Sequence, residues 1–247
     1  MKTAEFEVMY RVEDAHWWYV GLHRLLLAWI DRVARGRRLR VLDAGSGTGR
    51  LLSLLSAHDA RGVEIAPDAR AFAARRGLSG VVPGSVTALP FPDASFDAVV
   101  SADVLSDLGA PGDAVALAEM ARVLAPGGVL LLHLPAFPFL RGEHDLAVGV
   151  VRRYRRREVR ALLDGANLSV RRLTCRMAFL FPVAAPFRVA TRVRIPRASS
   201  ARSDLRLLPG PLNRLLAGVV IAENRLILSG LDLPLGMSVF AVAEKRG

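Results

Sequence analysis

Val41-Leu-Asp-Ala-Gly-Ser-Gly-Thr-Gly49 sets three glycines at alternate positions behind an aspartate. Glycine lets a backbone turn sharply and come close to a bound molecule, and a helix opening after such a turn presents unpaired N–H groups. The chemistry of this pattern is recognition of a nucleotide-like ligand by the main chain. Its spacing is GxGxG, not the GxGxxG of dinucleotide sites, and the chain has no GxxxxGK[ST] phosphate loop. Glu64 ends the next apolar run. A carboxylate there accepts both hydroxyls of an unphosphorylated ribose, so Asp43, the glycines and Glu64 together point to an adenosyl ligand without a pyrophosphate.

Proton-handling side chains are few. His133, His144 and Asp145 follow the run that reads as the fifth strand, at the edge where ligands bind in open α/β sheets. His133 lies inside that run and reads as a core histidine; His144 is the better catalytic candidate. His16 and Trp17 open an aromatic stretch that reads as a lid over the site or as a packed helix. Val150-Val-Arg-Arg-Tyr-Arg-Arg-Arg-Glu-Val-Arg160 holds six arginines and a tyrosine. Arg155, Arg156, Arg157 and Arg160 are most simply a solvated helix start, since Val159, Leu162 and Leu163 make one apolar face.

These residues need a scaffold, and short β-rich runs alternating with helical ones give an α/β sheet covered by helices. The strands fall at Leu39 to Asp43, Gly62 to Ile65, Gly80 to Val82, Phe96 to Ser101, Val129 to Leu134, Ser169 to Arg176 and Met237 to Glu244. Helices fall at Ala15 to Arg35, Gly49 to His58, Pro67 to Arg76, Pro111 to Leu124 and Arg156 to Ala166. An insertion from Met177 to Gly236 separates the last two strands and ends in an apolar helix, Leu212 to Ser229. The expected organisation is one domain: a cap over 1–38, a core over 39–176, an insertion over 177–236 and a last strand over 237–247.

At 247 residues and 52% hydrophobic composition the chain can build a substantial core. Its net charge of +11 invites acidic partners. Lysine occurs only at positions 2 and 245, however, so the charge is nearly all arginine and says little until it is located. Cys175 is the only cysteine, which excludes an internal disulfide and a cysteine metal cluster. No run is long and apolar enough to span a bilayer, and the amino-terminal segment lacks a signal-peptide core. The cytoplasm is the expected compartment.

In order and spacing, VLDAGSGTG, then GVEI, then Ala88 to Val100 and Val123 to Leu131 resemble the motifs of class I S-adenosylmethionine-dependent methyltransferases. The resemblance covers about residues 39 to 134 and implies a Rossmann-like, seven-stranded sheet with S-adenosyl-L-methionine as cofactor and S-adenosyl-L-homocysteine as product. It implies that Asp43 neighbours the methionine amino end, and that Ala44, Gly45, Ser46, Gly47 and Gly49 line the backbone-contact surface. Glu64 would hold the ribose, Ile65 would pack on adenine, and Ser85 with Val86 would meet the adenine edge. Ser101 and Ala102 would close the methionine side. Ser85 departs from the family's frequent aspartate and bonds an adenine amino group more weakly.

A narrower resemblance, carried by His16-Trp-Trp-Tyr19, Gly142-Glu-His-Asp145, Gly149 and Arg152-Arg-Tyr154, is to a bacterial subgroup often found beside polysaccharide and lipid-linked glycan genes. It implies catalytic roles for His144 and Tyr154 and acceptor contacts from His16, Trp17, Asp145, Arg152 and Arg153; no metal is implied. Related proteins usually carry histidine before the Arg-Arg-Tyr, where this chain has Val150 and Val151, and Glu-His where it has Asp107-Leu108. The acceptor therefore needs little base assistance, or the fold serves a non-methylating or scaffolding role. The expected acceptor is a small molecule, hydrophobic or lipid-linked, because Phe179 to Phe187 pairs apolar surface with Arg188, Arg192, Arg194 and Arg197 as interfacial segments do. The same segment reads equally as a lid on its own domain or on a homodimer partner. RNA methylation is the remaining alternative, disfavoured because no RNA-binding module, basic tail or aromatic-interleaved basic strand is present.

Overall fold

The computed structural model describes residues 3–191 and 205–246. Seven strands form one sheet: β1 (Arg40–Ala44), β2 (Asp59–Glu64), β3 (Val81–Pro83), β4 (Phe96–Ala102), β5 (Leu124–Pro135), β6 (Leu168–Arg176) and β7 (Ser238–Lys245). Their order is β3-β2-β1-β4-β5-β7-β6, with β7 antiparallel to both neighbours. The order reverses between β1 and β4, which opens a crevice at the carboxyl edge beside the β1 turn, the place where open α/β sheets bind ligands.

The helices are α1 (Thr3–Val12), α2 (Trp17–Ala34), α3 (Arg50–Leu54), α4 (Pro67–Arg75), α5 (Leu105–Leu108), α6 (Gly112–Val123), α7 (Glu143–Val148), α8 (Arg156–Gly165), α9 (Phe181–Thr191) and α10 (Gly210–Ser229), with a 3-10 turn at Pro138–Leu140. Alternation along each central strand sends side chains to opposite faces. One core cluster, with Leu42, Leu130, Leu132 and Ala241, meets Met120 of α6 and Val159 and Leu163 of α8. The other, with Val41, Val100, Leu131 and Phe240, meets Leu25, Leu26 and Ile30 of α2 and Ile227 of α10. Both faces of the sheet are thus covered.

All seven strands stand where the sequence reading puts them. The differences lie at the ends. β2 begins at Asp59, three residues early, because exposed Asp59 and Arg61 pair with β1 by main chain alone and carry no apolar signal. For the same reason α3 is shorter than Gly49 to His58: the chain must leave the helix at Leu55 to enter β2. β5 extends back to Leu124 through Pro126-Gly127-Gly128, with a register shift against β4 that absorbs the extra residues. The helix α1 has no counterpart in the reading, since its exposed charges mask a face of only two buried residues, Phe6 and Val12.

The insertion holds α9 and α10. Buried Glu223 of α10 accepts N–H groups of Met177 and Phe179, and Asn224 donates to the Gly21 carbonyl at 2.7 Å, so α10 is fastened to both the end of β6 and α2. Arg192, Arg194 and Arg197 lie outside the described residues.

Candidate functional site

The glycine turn leaves β1 at Ala44 and runs into α3. Gly45, Gly47 and Gly49 have φ of +88°, +53° and +83°, the left-handed region in which side chains are strained. At Gly45 a Cβ would fall 2.3 Å from Val104 Cγ2, so the turn is also packed too tightly for any other residue. Buried Glu64, at the end of β2, accepts the Gly47 N–H at 2.9 Å and the Ala66 N–H at 2.8 Å, one on each oxygen. Each carboxylate oxygen retains a further acceptor site, as binding a vicinal diol requires. Ile65, next in sequence, is 68% exposed and presents a bare apolar face beside that carboxylate.

Asp43 is buried at the end of β1. Its carboxyl is pushed up to about 7, first by burial and then by the negative charges of Glu64 and Glu13. A cation placed there relieves that strain, which suits the ammonium and sulfonium of a methionine-type ligand. The buried Oγ atoms of Ser46 and Ser101 have no hydrogen-bond partner, and that of Ser46 packs against Gly62 of β2. Ala102 is half-buried at the end of β4, and Val86 is buried beyond β3. The residues present therefore fit an adenosyl cofactor. Ser85 is the exception in detail: its hydroxyl lies 2.7 Å from Thr87 Oγ1 and takes the Thr87 N–H at 3.2 Å, so it is engaged locally.

The N-terminal helix lies across this turn. A Cβ at Gly47 would meet Met9 Cε at 3.0 Å. Glu13 bonds Thr48 of the turn and pairs at 2.8 Å with Arg76, whose guanidinium stacks on Tyr10 at 4.6 Å. Burial raises the Glu13 pKa despite these partners. None of this contact set was legible beforehand, because Glu13 and Arg76 are sixty-three residues apart and neither belongs to a motif.

Of the acceptor-side residues, the structure brings His16, Trp17 and His144 together. His16 caps α2 by accepting the Trp18 N–H at 3.3 Å, its ring lies 5.5 Å from that of Trp17, and its pKa is lowered by burial and then by His144. The other assigned residues are engaged in bonds within the protein. Tyr154 is wholly buried; its hydroxyl lies 3.0 Å from the Leu105 carbonyl and 3.1 Å from Asp113, and burial raises its pKa. Arg153 and Asp145 form a buried two-point ion pair at 2.8 and 3.0 Å, with Arg153 also donating to the Ala136 carbonyl at 2.9 Å. Arg152 donates to Asp113 at 2.7 Å and stacks over Tyr154 at 4.8 Å. These four residues brace the segment after β5. Local charge pairing explains them; their spacing alone did not distinguish bracing from binding.

A pair not assigned to the site stands nearer the crevice. His133 of β5 is fully buried, with Nδ1 3.0 Å from Asp103, the residue after β4. Its Nε2 has no partner, and its ring lies 5.7 Å edge-on to Trp18. The reading of His133 as a core histidine holds for its burial but misses its acid partner, which only the β4–β5 pairing brings alongside. Around Val159 and Leu163, Arg155, Arg157 and Arg160 are exposed, as a solvated helix start requires, whereas Arg156 is half-buried and donates to the Leu233 carbonyl at 3.2 Å.

Residues 42–132 match the family model described as a methyltransferase domain. A mouse (Mus musculus) protein described as "probable tRNA methyltransferase 9B" is 36% identical over 95 residues, covering 38% of this chain and 21% of that protein. The demethylmenaquinone methyltransferase of Thermus thermophilus is 36% identical over 139 residues, covering 49% of this chain and 62% of that protein. The chain thus spans less than two thirds of the length of either relative. Among solved structures, the Burkholderia thailandensis 1,6-didemethyltoxoflavin-N1-methyltransferase with bound 1,6-didemethyltoxoflavin and S-adenosylhomocysteine superposes with a TM-score of 0.58 at 18% identity, covering 99% of this chain and 87% of that one. At that identity the likeness speaks for the fold. The matched segment runs from within β1 through the glycine turn, Glu64 and β4, the elements that build the crevice, and the chain has the α/β fold of class I methyltransferases.

Proposed function

We propose that the protein is an S-adenosylmethionine-dependent methyltransferase acting on a small-molecule acceptor that is hydrophobic or lipid-linked. The observation that carries the cofactor half is the crevice itself: a left-handed glycine turn tied to the Glu64 carboxylate, beside a buried acid whose ionisation a cation would favour. When bound, the cofactor supplies an electrophilic methyl group on a positively charged sulfur. The chain's residues hold and orient: Glu64 takes ribose hydroxyls, Asp43 balances positive charge, and the turn's N–H groups approach closely. Transfer is an in-line displacement, so alignment of acceptor and methyl provides much of the acceleration.

The acceptor half rests on surface chemistry. Phe179, Val183 and Phe187 recur every fourth residue and are 50%, 77% and 69% exposed, an apolar stripe leading into and along α9. Such a stripe favours an apolar acceptor or peripheral contact with a membrane surface. No helix among the described residues is long and apolar enough to cross a membrane. His133 with Asp103 and His144 with His16 are the side chains able to manage an acceptor proton. Similarity to the tRNA methyltransferase 9B protein spans 95 residues and leaves most of both chains unmatched, so it gives the RNA reading no separate support.

Calorimetry with S-adenosylmethionine and S-adenosylhomocysteine is the test. One-site binding of both is expected, abolished in Gly47→Arg, whose side chain would stand in the cofactor's path and strain the turn. If neither ligand binds the wild-type protein, the methyltransferase reading is wrong.

A further inference from the structure

At the opposite edge of the sheet, where β1, β4 and β5 begin and β7 ends, a concavity of about 720 Å³ opens between α2 and the Pro126-Gly127-Gly128 turn. Its rim is cationic. Arg32, Arg35, Arg37 and Arg171 line it, against Asp97 and Glu244. Both acids are already paired: Asp97 with Arg40 at 2.7 Å and Glu244 with Arg171 at 2.9 Å. After Arg40, Arg37 also helps hold the Asp97 carboxyl below the usual carboxylate range, so the site adds the charge of Arg32 and Arg35 to acids that arginines already balance.

Two further features distinguish it from an ordinary solvated basic face. The indole Nε1 of Trp29, which lines the concavity, is buried without a hydrogen-bond partner, although buried indole N–H groups nearly always find one. Arg32 lies over the ring of the same tryptophan at 5.2 Å and donates to the Leu228 carbonyl at 2.6 Å, which fixes its guanidinium at the wall. The C-cap of α2 at Arg35 and Gly36 and the turn at Gly127 both adopt left-handed backbone, and a Cβ at either glycine would meet nothing within 4 Å, so both stretches of main chain are open to a ligand. Clustered arginines, an unused N–H and open glycine backbone suit the several acceptor oxygens of a phosphoryl group.

We propose that this amino-edge concavity is a second binding site, taking a phosphoryl-bearing anion on Arg35 and Arg37 with Trp29 as an additional donor. It is separate from the cofactor crevice, because a sheet's length lies between them. It does not depend on the methyltransferase reading. The anion's source is either a free phosphorylated molecule or a lipid headgroup, and both present the same chemistry to the arginines.

The test is calorimetry of the full chain with sodium pyrophosphate at low ionic strength, alongside flotation with phosphatidylcholine vesicles with and without phosphatidate. Saturable 1:1 binding of pyrophosphate identifies a soluble anion; binding to phosphatidate vesicles alone identifies a headgroup. In either case Arg35→Gln/Arg37→Gln should weaken binding at least tenfold, and Trp29→Phe several-fold. The control is Arg155→Gln/Arg157→Gln, an equal change in charge on the exposed start of α8, which should leave affinity within twofold. Equal losses in both double variants would reduce the effect to bulk charge and overturn the proposal, as would no binding to either probe. S-adenosylhomocysteine affinity, measured on the same samples, should not move; it reports folding and the cofactor crevice independently.

Discussion

Asp43 gives the cofactor crevice a pH dependence whose sign follows from its environment. Its folded pKa is raised to about 7 by burial and by neighbouring acids, so near neutrality the carboxyl is about half protonated. A cationic ligand favours the ionised form, and binding must release a proton. Affinity for S-adenosylmethionine is expected to weaken as pH falls from 8 to 6, and calorimetry in buffers of different ionisation enthalpy should detect that proton. Asp43→Asn should weaken binding at pH 8 and flatten the profile; an unchanged slope would show that another group titrates. Tyr154 makes the contrasting prediction. Tyr154→Phe removes a buried hydroxyl bonded to Leu105 and Asp113, at a cost of about 1–3 kcal/mol of stability. Denaturant melts should register that loss while cofactor affinity stays unchanged. Sequence did not separate these cases: Asp43 and Tyr154 both sit in motifs, but one is stacked among like charges in the crevice and the other is sealed under Arg152.

Among the elements, α1 is the one whose role follows from contacts and not from its own composition. It touches the crevice through Met9 near Gly47 and is fastened by Glu13 to Thr48 and Arg76. Glu13→Ala would leave the part-buried Arg76 with only Asp14 as an acid partner. The expected result is faster amide exchange across residues 3–12, with cofactor affinity falling several-fold and the sheet's exchange unaffected. If exchange rises but affinity does not, α1 covers the turn without contributing to binding. The central strands were legible because fully buried parallel strands read as continuous apolar runs, and β6 and β7 because their residues alternate. α1 and the early start of β2 were not, since their positions depend on partners remote in sequence.

For the whole molecule, the surfaces at opposite edges of the sheet can be tested apart. The stripe at Phe179, Val183 and Phe187 lies beyond the carboxyl edge, while the arginine-lined concavity lies at the amino edge. If the stripe meets a membrane, Val183→Ser/Phe187→Ser should lower flotation with anionic vesicles at least fivefold at low salt while sparing pyrophosphate binding. Loss of both together would tie the two surfaces to one event. The net charge of +11 says nothing about this division by itself; where the charges are left unpaired does.

What the sequence by itself determined is the local chemistry: glycines suited to a left-handed turn, an acid one strand later, and seven β-rich runs whose spacing demands a covered sheet. Those features are fixed by neighbours along the chain, so they survive without knowledge of the fold. Only the tertiary structure decided which charges are spent on each other. Arg153 with Asp145, Arg152 with Asp113, and His133 with Asp103 are pairings across eight to thirty-nine residues. Coulombic and hydrogen-bond energy depends on distance and burial, which spacing in sequence does not specify, so the partners of these arginines could be read only from the fold.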